Sequence, residues 1–258
     1  MRRPGLVLIA GLLAASCSAP RHTLFDPRET LTQVSTALAI EGGDYDGRLE
    51  CGRLSRFGDF GIGTFHALDG EMVVLDGKVY QVGVDGAVRA ASDSATTPFA
   101  CVTFFEPDVT LSFGAANAGT PEGWSLASDV LERLIDEQAN VKHGARDLFV
   151  AVRVEGVFVQ VRVRSVPAQK KPYPPLDEAV KGQQVSELKD VRGTLVGFRF
   201  PPAAGGMNVP GYHFHFLTAD RSRGGHVLAF TLREGAVSVD VTPNFYCLGG
   251  RGVDRPGH

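Results

Sequence analysis

The sequence lacks any apolar run that could cross a bilayer as a helix, because no such run approaches the required length of about 18 residues. It also lacks a basic block: 26 Lys and Arg stand against 29 Asp and Glu, and the net charge is -3. We therefore expect no nucleic-acid partner. The four cysteines include no Cys-x-x-Cys pair, which excludes a zinc ribbon and a dithiol redox motif.

Phosphate-binding signatures are missing as well. The glycines of the segment 58–63 (Gly-Asp-Phe-Gly-Ile-Gly) lack the spacing of the dinucleotide fingerprint, and no Lys-Ser/Thr pair follows them. They indicate tight turns before a strand. With 258 residues, 43% of them hydrophobic, the chain is long enough for one large or two modest globular domains.

The N-terminus has the pattern of a targeting segment. Met1, Arg2 and Arg3 form a positive region, and an apolar stretch of signal-peptide length follows and ends near Cys17. This pattern resembles a bacterial lipoprotein signal, with ordinary cleavage near Ala15 or Ala19 as the alternative. Residues 1–20 are thus predicted to be a signal peptide or lipoprotein tether. The protein is expected to be exported to the periplasm or anchored to the outer membrane through a lipid on Cys17.

Hydrophobic periodicity predicts that both halves of the chain are rich in β-strands, with few helices. Asp-Gly pairs at Asp69, Asp76 and Asp85 separate short β-prone runs and indicate an antiparallel meander. Helices are predicted over 28–39 and from Thr120 to about 138. A hairpin is predicted over 148–163 with its turn at Glu155.

The proline-rich stretch 167–176 is typical of a crossing between domains. We therefore predict an N-terminal mixed-sheet domain over 21–165. A C-terminal sheet domain over 166–258 would carry the histidines described next. For the tail beyond 243, the sequence shows no clear pattern.

Three of the seven histidines, His213, His215 and His226, fall within fourteen positions. Residues two apart on a strand share a face, so His213 and His215 project together, and His226 joins them if it pairs with Ala219. Neutral imidazole is the commonest nitrogen ligand of zinc, and three protein ligands leave a coordination position open for catalysis. Ordinary core or solvated histidines are the alternative. A fourth ligand from Cys247 would instead make a closed, structural site.

Other polar residues are candidates only in combination. Glu71 follows a turn and is either a site carboxylate or a solvated one. Arg164 lies on the polar face of a strand, where a guanidinium can bind an anionic substrate bidentately or simply face solvent.

Several separated motifs, taken together, resemble the alpha-acetolactate decarboxylases. They occur in the same order and with similar spacing, and they cover about residues 25–240: Gly-Asp-Phe-Gly-Ile-Gly-Thr-Phe (58–65), Leu-Asp-Gly-Glu (68–71), Arg-Ser-Val-Pro (164–167), Lys-Pro-Tyr (171–173), Gly-Tyr-His-Phe-His-Phe (211–216) and Gly-Gly-His-Val-Leu (224–228).

The resemblance implies a zinc lyase that converts 2-acetolactate to acetoin and carbon dioxide. It implies an α+β fold of two sheet-rich α/β domains with mainly antiparallel or mixed sheets, and a metal site between the two domains. It implies that three residues bind zinc: His213, His215 and His226. It also implies an active-site carboxylate at Glu71, an active-site arginine at Arg164, and a position close to substrate for Thr64. The family further supplies a glutamate from its C-terminal segment, and the tail of this chain has none over 242–247.

Two other functions remain open from the sequence. One is a non-catalytic, zinc-stabilised exported lipoprotein module, and the other is a different zinc enzyme, such as a hydrolase, that uses the same histidines. The sequence also leaves open whether the chain forms a homodimer.

Overall fold

The computed structural model describes residues 26–114, 125–143 and 145–249. The predicted targeting segment, including Cys17, and the predicted helix start at Thr120 lie outside these ranges. None of the helices within the described ranges is both long and apolar enough to span a membrane.

Strands dominate the described residues and are numbered in chain order. Their bounds are β1 Thr30–Val34, β2 Leu49–Glu50, β3 Phe60–Thr64, β4 Glu71–Leu75, β5 Lys78–Val82, β6 Val88–Ala90, β7 Thr96–Thr97, β8 Phe99–Thr103, β9 Val109–Phe113, β10 Leu126–Ala127, β11 Phe149–Ser165, β12 Gln184–Phe200, β13 Gly211–Thr218, β14 Gly224–Thr242 and β15 Asn244–Leu248.

Helices are few. The α-helices are α1 Ala37–Glu41, α2 Ser128–His143 and α3 Leu176–Ala179. Short 3-10 helices occur at Pro27–Glu29, Cys51–Arg56, His66–Leu68, Ala145–Asp147, Val180–Gly182 and Pro202–Ala204. The expected sheet-rich composition is confirmed.

The first large sheet of the described residues has the order β15-β1-β8-β3-β4-β5-β6. Its half from β3 to β6 is the antiparallel meander that the Asp-Gly pairs predict. Between β4 and β5, Asp76 (φ 52°) and Gly77 (φ 74°) both take the left-handed conformation that a two-residue hairpin turn requires. Only the outer pair β1–β15 is parallel, so the sheet is mixed.

In the second large sheet, β11, β12, β13 and β14 pair in a closed cycle, and β9 and β10 add to β14. The hairpin predicted at Glu155 is wrong, since β11 continues through that residue as one strand. Gly156 lies opposite Gly193 on one side and Gly235 on the other. A Cβ at Gly156 would lie 2.1 Å from the Glu234 carbonyl, so glycine here permits close strand packing rather than a turn.

The helix predicted over 28–39 is also wrong for most of its length. Thr30–Val34 is a strand held between β8 and β15, and every residue in it is buried. Helix α1 begins only at Ala37. Pairing with distant strands on both sides has overridden the local helical spacing, as is common for short segments.

Apolar side chains of both sheets meet in one core. Ile62 and Val73 of the first sheet pack in the same cluster as Val196, Phe198 and Leu217 of the second. A second cluster lies between α2 and the closed strand cycle. The predicted domain boundary at residue 165 falls at the end of β11. Because β12 and β14, the partners of β11, lie beyond that residue, the second sheet contains strands from both sides of the boundary.

Candidate metal and active site

The three candidate histidines lie on two adjacent strands. His213 and His215 project from β13, and His226 lies on β14 directly opposite His215. The conditional pairing of His226 with Ala219 is therefore wrong, although its consequence, a shared face, is confirmed. On the other side of β14, Arg164 of β11 is the residue opposite His226. Arg164, His226 and His215 thus form a row across three strands, where directly paired side chains lie about 5 Å apart.

The register of this row depends on an irregularity in β14. Arg162 pairs with Ala229 but Val163 pairs with Val227, so β14 contains one extra residue at that point. A one-residue shift moves a side chain to the opposite face of a sheet. The bulge therefore determines that His226 lies opposite Arg164.

Gly225, just before His226, accommodates the close approach of β11. Its φ of +151° favours glycine, and a Cβ there would lie 2.7 Å from the Arg164 carbonyl oxygen. The Gly-Gly-His sequence thus has a geometric reason, because any larger residue at 225 would push β14 away from Arg164.

One ring nitrogen from each histidine converges on a common point. The three candidate ligand atoms all lie within 4.8 Å of one another, and His213 Nε2 is 3.1 Å from His226 Nδ1. His215 Nδ1 lies 2.7 Å from the Met72 carbonyl oxygen. That oxygen can only accept, so Nδ1 carries the proton and Nε2 is left with its lone pair free.

The electrostatic environment keeps these imidazoles neutral. Burial, reinforced by the positive charge of Arg164, lowers the pKa of His213 to about 4. Burial and neighbouring imidazoles lower the pKa values of His215 and His226 well below their ordinary range. Three neutral imidazoles whose ring nitrogens converge are a suitable donor set for a borderline-soft divalent ion such as zinc.

Glu71 of the first sheet reaches the same point. Its Oε2 lies 3.6 Å from His215 Nε2, and the residue is only 7% exposed. Burial raises the pKa of Glu71 to about 7, although Arg164 and a hydrogen bond from the Val166 backbone favour the ionised form. This carboxyl group can therefore both bind and release a proton near neutral pH.

The other two predicted site residues lie in the same cavity. Thr64 pairs with Glu71 across the β3–β4 hairpin, and its hydroxyl donates to the Gly70 carbonyl oxygen at 2.7 Å. That leaves the lone pairs of Thr64 Oγ1 available as acceptors. Arg164 donates from Nη1 to Gln183 Oε1 at 3.1 Å. No carboxylate among the described residues lies within ion-pair distance of Arg164.

These side chains enclose a cavity of ≈ 130 Å³, well below the size of sites for drug-sized ligands. The lining combines polar side chains with apolar ones. The lining residues are Ala37, Ile40, Glu41, Gly63, Thr64, Leu68, Glu71, Phe99, Arg164, Val166, Leu176, Val180, Asn208, Val209, His213, His215 and His226. The cavity therefore suits a small ligand with a polar head and a short apolar body.

Several lining residues were missed by sequence reasoning. Asn208 is buried and belongs to the loop before β13, and Glu41 is an exposed carboxylate at the end of α1. Neither position has a local signal, because each reaches the cavity only through packing between distant segments.

Cys247 does not join the histidine cluster, so the closed site with a thiolate ligand is contradicted for the described residues. Its Sγ donates to the Ser35 carbonyl oxygen at 3.3 Å, on β15 at the outer edge of the first sheet. Neither Cys247 nor any other described residue beyond His226 lines the cavity. The cluster within the described residues thus consists of three imidazoles with a carboxylate beside them.

Comparison with known proteins identifies the family. The model of the family described as alpha-acetolactate decarboxylase matches residues 31–248. The alpha-acetolactate decarboxylase of Methanosarcina mazei is 46% identical over 84% of this chain and 71% of that protein. The corresponding protein of Methylococcus capsulatus is 42% identical over 87% of this chain and 81% of its own length.

A solved structure agrees with these sequence matches. The crystal structure of alpha-acetolactate decarboxylase from Bacillus subtilis strain 168 superposes with a TM-score of 0.78 at 35% identity, covering 88% of this chain and 94% of that one. The resemblance seen in the motifs is confirmed over most of the chain. The chain is a member of the alpha-acetolactate decarboxylase family.

Proposed function

We propose that this protein is a zinc-dependent carboxy-lyase that converts 2-acetolactate to acetoin and carbon dioxide. The observation that supports this most is the convergence of three neutral imidazoles beside a buried carboxyl group and a guanidinium, in a chain whose relatives are named for this reaction.

His213, His215 and His226 are the residues proposed to bind the ion. Their nitrogen donors are neutral, one of them is oriented by the Met72 carbonyl oxygen, and three ligands leave room for a substrate. When bound, a divalent ion supplies Lewis-acid stabilisation of the negative charge that develops as carbon dioxide leaves.

Arg164 is proposed to bind the substrate carboxylate. It contributes the cationic side chain of the cavity, and no carboxylate of the described residues lies within ion-pair distance of it. A guanidinium matches a carboxylate with two parallel hydrogen bonds. Holding the carboxylate at Arg164 orients the carbon–carbon bond that breaks when carbon dioxide leaves.

Glu71 is the proposed acid–base group. Departure of carbon dioxide leaves a carbon that must take up a proton, and the buried Glu71 carboxyl group, with its pKa near 7, can donate one at neutral pH. Thr64, paired with Glu71 across the hairpin, offers its hydroxyl oxygen to a donor on the substrate. The apolar lining residues keep bulk water from the negative charge that develops as carbon dioxide leaves.

An acetoin assay tests the proposal. Zinc-loaded protein supplied with racemic 2-acetolactate should release acetoin and an equal amount of carbon dioxide. Zinc bound without acetoin formation would favour the non-catalytic module, and turnover of an ester or amide instead would favour a hydrolase. Removal of the metal with a chelator should abolish acetoin formation, and zinc should restore it.

The remaining expectations concern the setting of the site. We propose that it lies between two domains, because Glu71 and the Met72 carbonyl belong to the first sheet and the histidines to the second. Export to the periplasm and a lipid anchor on Cys17 stay predictions, as does a homodimer. Detergent partitioning of the wild-type protein and of a Cys17→Ala variant tests the anchor.

A further inference from the structure

Arg164 is half-buried, and its guanidinium has few hydrogen-bond partners within the protein. An arginine offers five N–H donors, and the hydrogen bond from Nη1 to Gln183 engages one of them. Its Nε is buried and has no hydrogen-bond partner. Leaving a buried donor unpaired costs free energy, so a ligand that accepts from it would recover that cost.

Two other arginines with a buried Nε differ from Arg164, because each of them forms an ion pair. Arg48 and Arg153 also have a buried Nε without a partner. However, Arg48 forms an ion pair with Asp44, and Arg153 forms ion pairs with Asp76 and Glu155. Arg164 lines the cavity and lacks such a carboxylate among the described residues.

Gln183 is well placed to orient Arg164. It follows the 3-10 helix Val180–Gly182, and its backbone N–H donates to the Val180 carbonyl oxygen at 3.1 Å. Val180 itself lines the cavity. The next residue, Gln184, begins β12 and pairs with Ser165, the neighbour of Arg164. The side chain of Gln183 therefore comes from a segment that is fixed on both sides.

The chemistry of the amide matters as much as its position. A glutamine oxygen accepts from Nη1 without adding charge, so the guanidinium keeps its full positive charge for a second partner. A carboxylate at 183 would form an ion pair with Arg164 and compete with an anionic ligand.

We propose that Gln183 is a positioning residue. By holding Nη1 of Arg164, it fixes the guanidinium at the wall of the cavity, so that the remaining N–H donors bind a ligand carboxylate through two hydrogen bonds. This inference rests on the proposed function, because it concerns how the same cavity recognises the acidic group of its substrate.

Calorimetric titration of the zinc-loaded protein tests the proposal without relying on turnover. The two probes are 2-hydroxyisobutyrate, which carries a carboxylate, and acetoin, which does not. The variants are Gln183→Met, which keeps the side-chain length but removes the acceptor, and Gln183→Glu, which adds a charge. Gln184→Leu is the matched control, because Gln184 is an exposed neighbour that does not line the cavity.

We expect Gln183→Met to weaken 2-hydroxyisobutyrate binding about tenfold, the effect of one hydrogen bond to a charged group, and to leave acetoin binding unchanged. Gln183→Glu should weaken 2-hydroxyisobutyrate binding at least as much, whereas Gln184→Leu should change neither affinity. With 2-acetolactate as substrate, Gln183→Met should raise KM more than it lowers kcat.

Equal weakening of both probes by Gln183→Met, or no weakening of either, would overturn the positioning role. Failure of the wild-type protein to produce acetoin would refute the proposed function instead. The ratio of the two affinities would still report on Gln183 and Arg164. Zinc content and circular dichroism of each variant establish that the comparison is made between folded, loaded proteins, and Gln183→Glu provides a second test if Gln183→Met does not fold.

Discussion

Two buried polar clusters in this protein differ in how completely they are hydrogen-bonded. Around Gln33, the amide nitrogen donates to the Met207 carbonyl oxygen at 2.7 Å. Its oxygen accepts from Asn208 at 2.8 Å and from the Cys101 thiol at 3.3 Å. Asn208 in turn accepts from the Val209 N–H. This cluster joins β1, β8 and the loop before β13, and both amides use their donor and acceptor atoms within the protein.

The histidine cavity adjoins this network at Asn208, which also lines the cavity, but its polar groups are less completely hydrogen-bonded. His213 and His226 share one hydrogen bond at 3.1 Å, but the Arg164 Nε is buried without a partner, and Glu71 is buried with a raised pKa. Saturated polar clusters stabilise a fold, whereas unsaturated ones are arranged for a ligand. Changes in the first should therefore affect stability, and changes in the second should affect metal binding and chemistry.

The largest effect is expected from His213→Ala. Removal of one imidazole leaves two ligands, and we expect loss of bound zinc and a fall of acetoin formation to background. Metal analysis and the acetoin assay measure both. His66→Ala is the matched control, because the His66 side chain is 55% exposed and lies outside the cavity. Zinc retention by His213→Ala would remove this residue from the ligand set.

Glu71→Gln should follow, with kcat reduced about 10²- to 10⁴-fold, the usual contribution of a general acid–base group. Glu41→Gln is the comparison, since Glu41 also lines the cavity but is exposed and is not in contact with the histidines. We expect it to leave kcat unchanged. Steady-state kinetics on both variants measures the two effects. Similar losses of kcat in the two variants would show that negative charge around the cavity matters rather than the position of Glu71.

Gln33→Leu should act on stability alone. It removes the hydrogen bonds that the Gln33 side chain forms with the Met207 carbonyl oxygen, the Asn208 amide and the Cys101 thiol, which should lower the free energy of unfolding by about 1–3 kcal/mol. Urea denaturation measures this, and zinc content at low temperature should match that of the wild-type protein. Loss of zinc from folded Gln33→Leu would contradict the separation of the two clusters.

Asp240→Asn should change how stability depends on pH. Burial, with Asp108, Glu29 and Asp59 adding negative charge, raises the pKa of Asp240 to about 8 in the folded protein. The group is ionised above about pH 4 when unfolded, so the folded state binds the extra proton between these values. The free energy of unfolding therefore falls as pH rises from about 4 to 8.

An asparagine can keep the hydrogen bond from the Glu106 N–H without this proton. We expect the thermal unfolding midpoint of the variant to rise relative to that of the wild-type protein as pH increases over that interval. A difference between the two proteins that stays constant with pH would contradict the assigned ionisation of Asp240. Because Asp240 lies outside the cavity, this test also separates its titration from that of Glu71.

Local sequence patterns predicted the parts of the fold that local geometry determines. Alternation placed His213 and His215 on one face of a strand, and the Asp-Gly pairs predicted the meander that presents Glu71. The resemblance to a family supplied the roles proposed for Arg164 and Thr64. The cavity does contain all of these side chains.

Long-range pairing could not be predicted in this way. β15 runs parallel to β1 although more than 200 residues separate them and the tail has no repeating pattern. The bulge in β14 that turns His226 towards Arg164 depends on two partner strands. Gln183 and Asn208 reach the site through packing of distant segments, so no spacing in the sequence identifies them.

Zinc titration of the metal-free protein, with acetoin formation followed at each step, tests the central claim most directly. The account predicts no turnover without metal, a linear rise with added zinc, and saturation at one ion per chain. Turnover of 2-acetolactate by the metal-free protein, or full activity of a variant in which alanine replaces His213, His215 and His226, would contradict it.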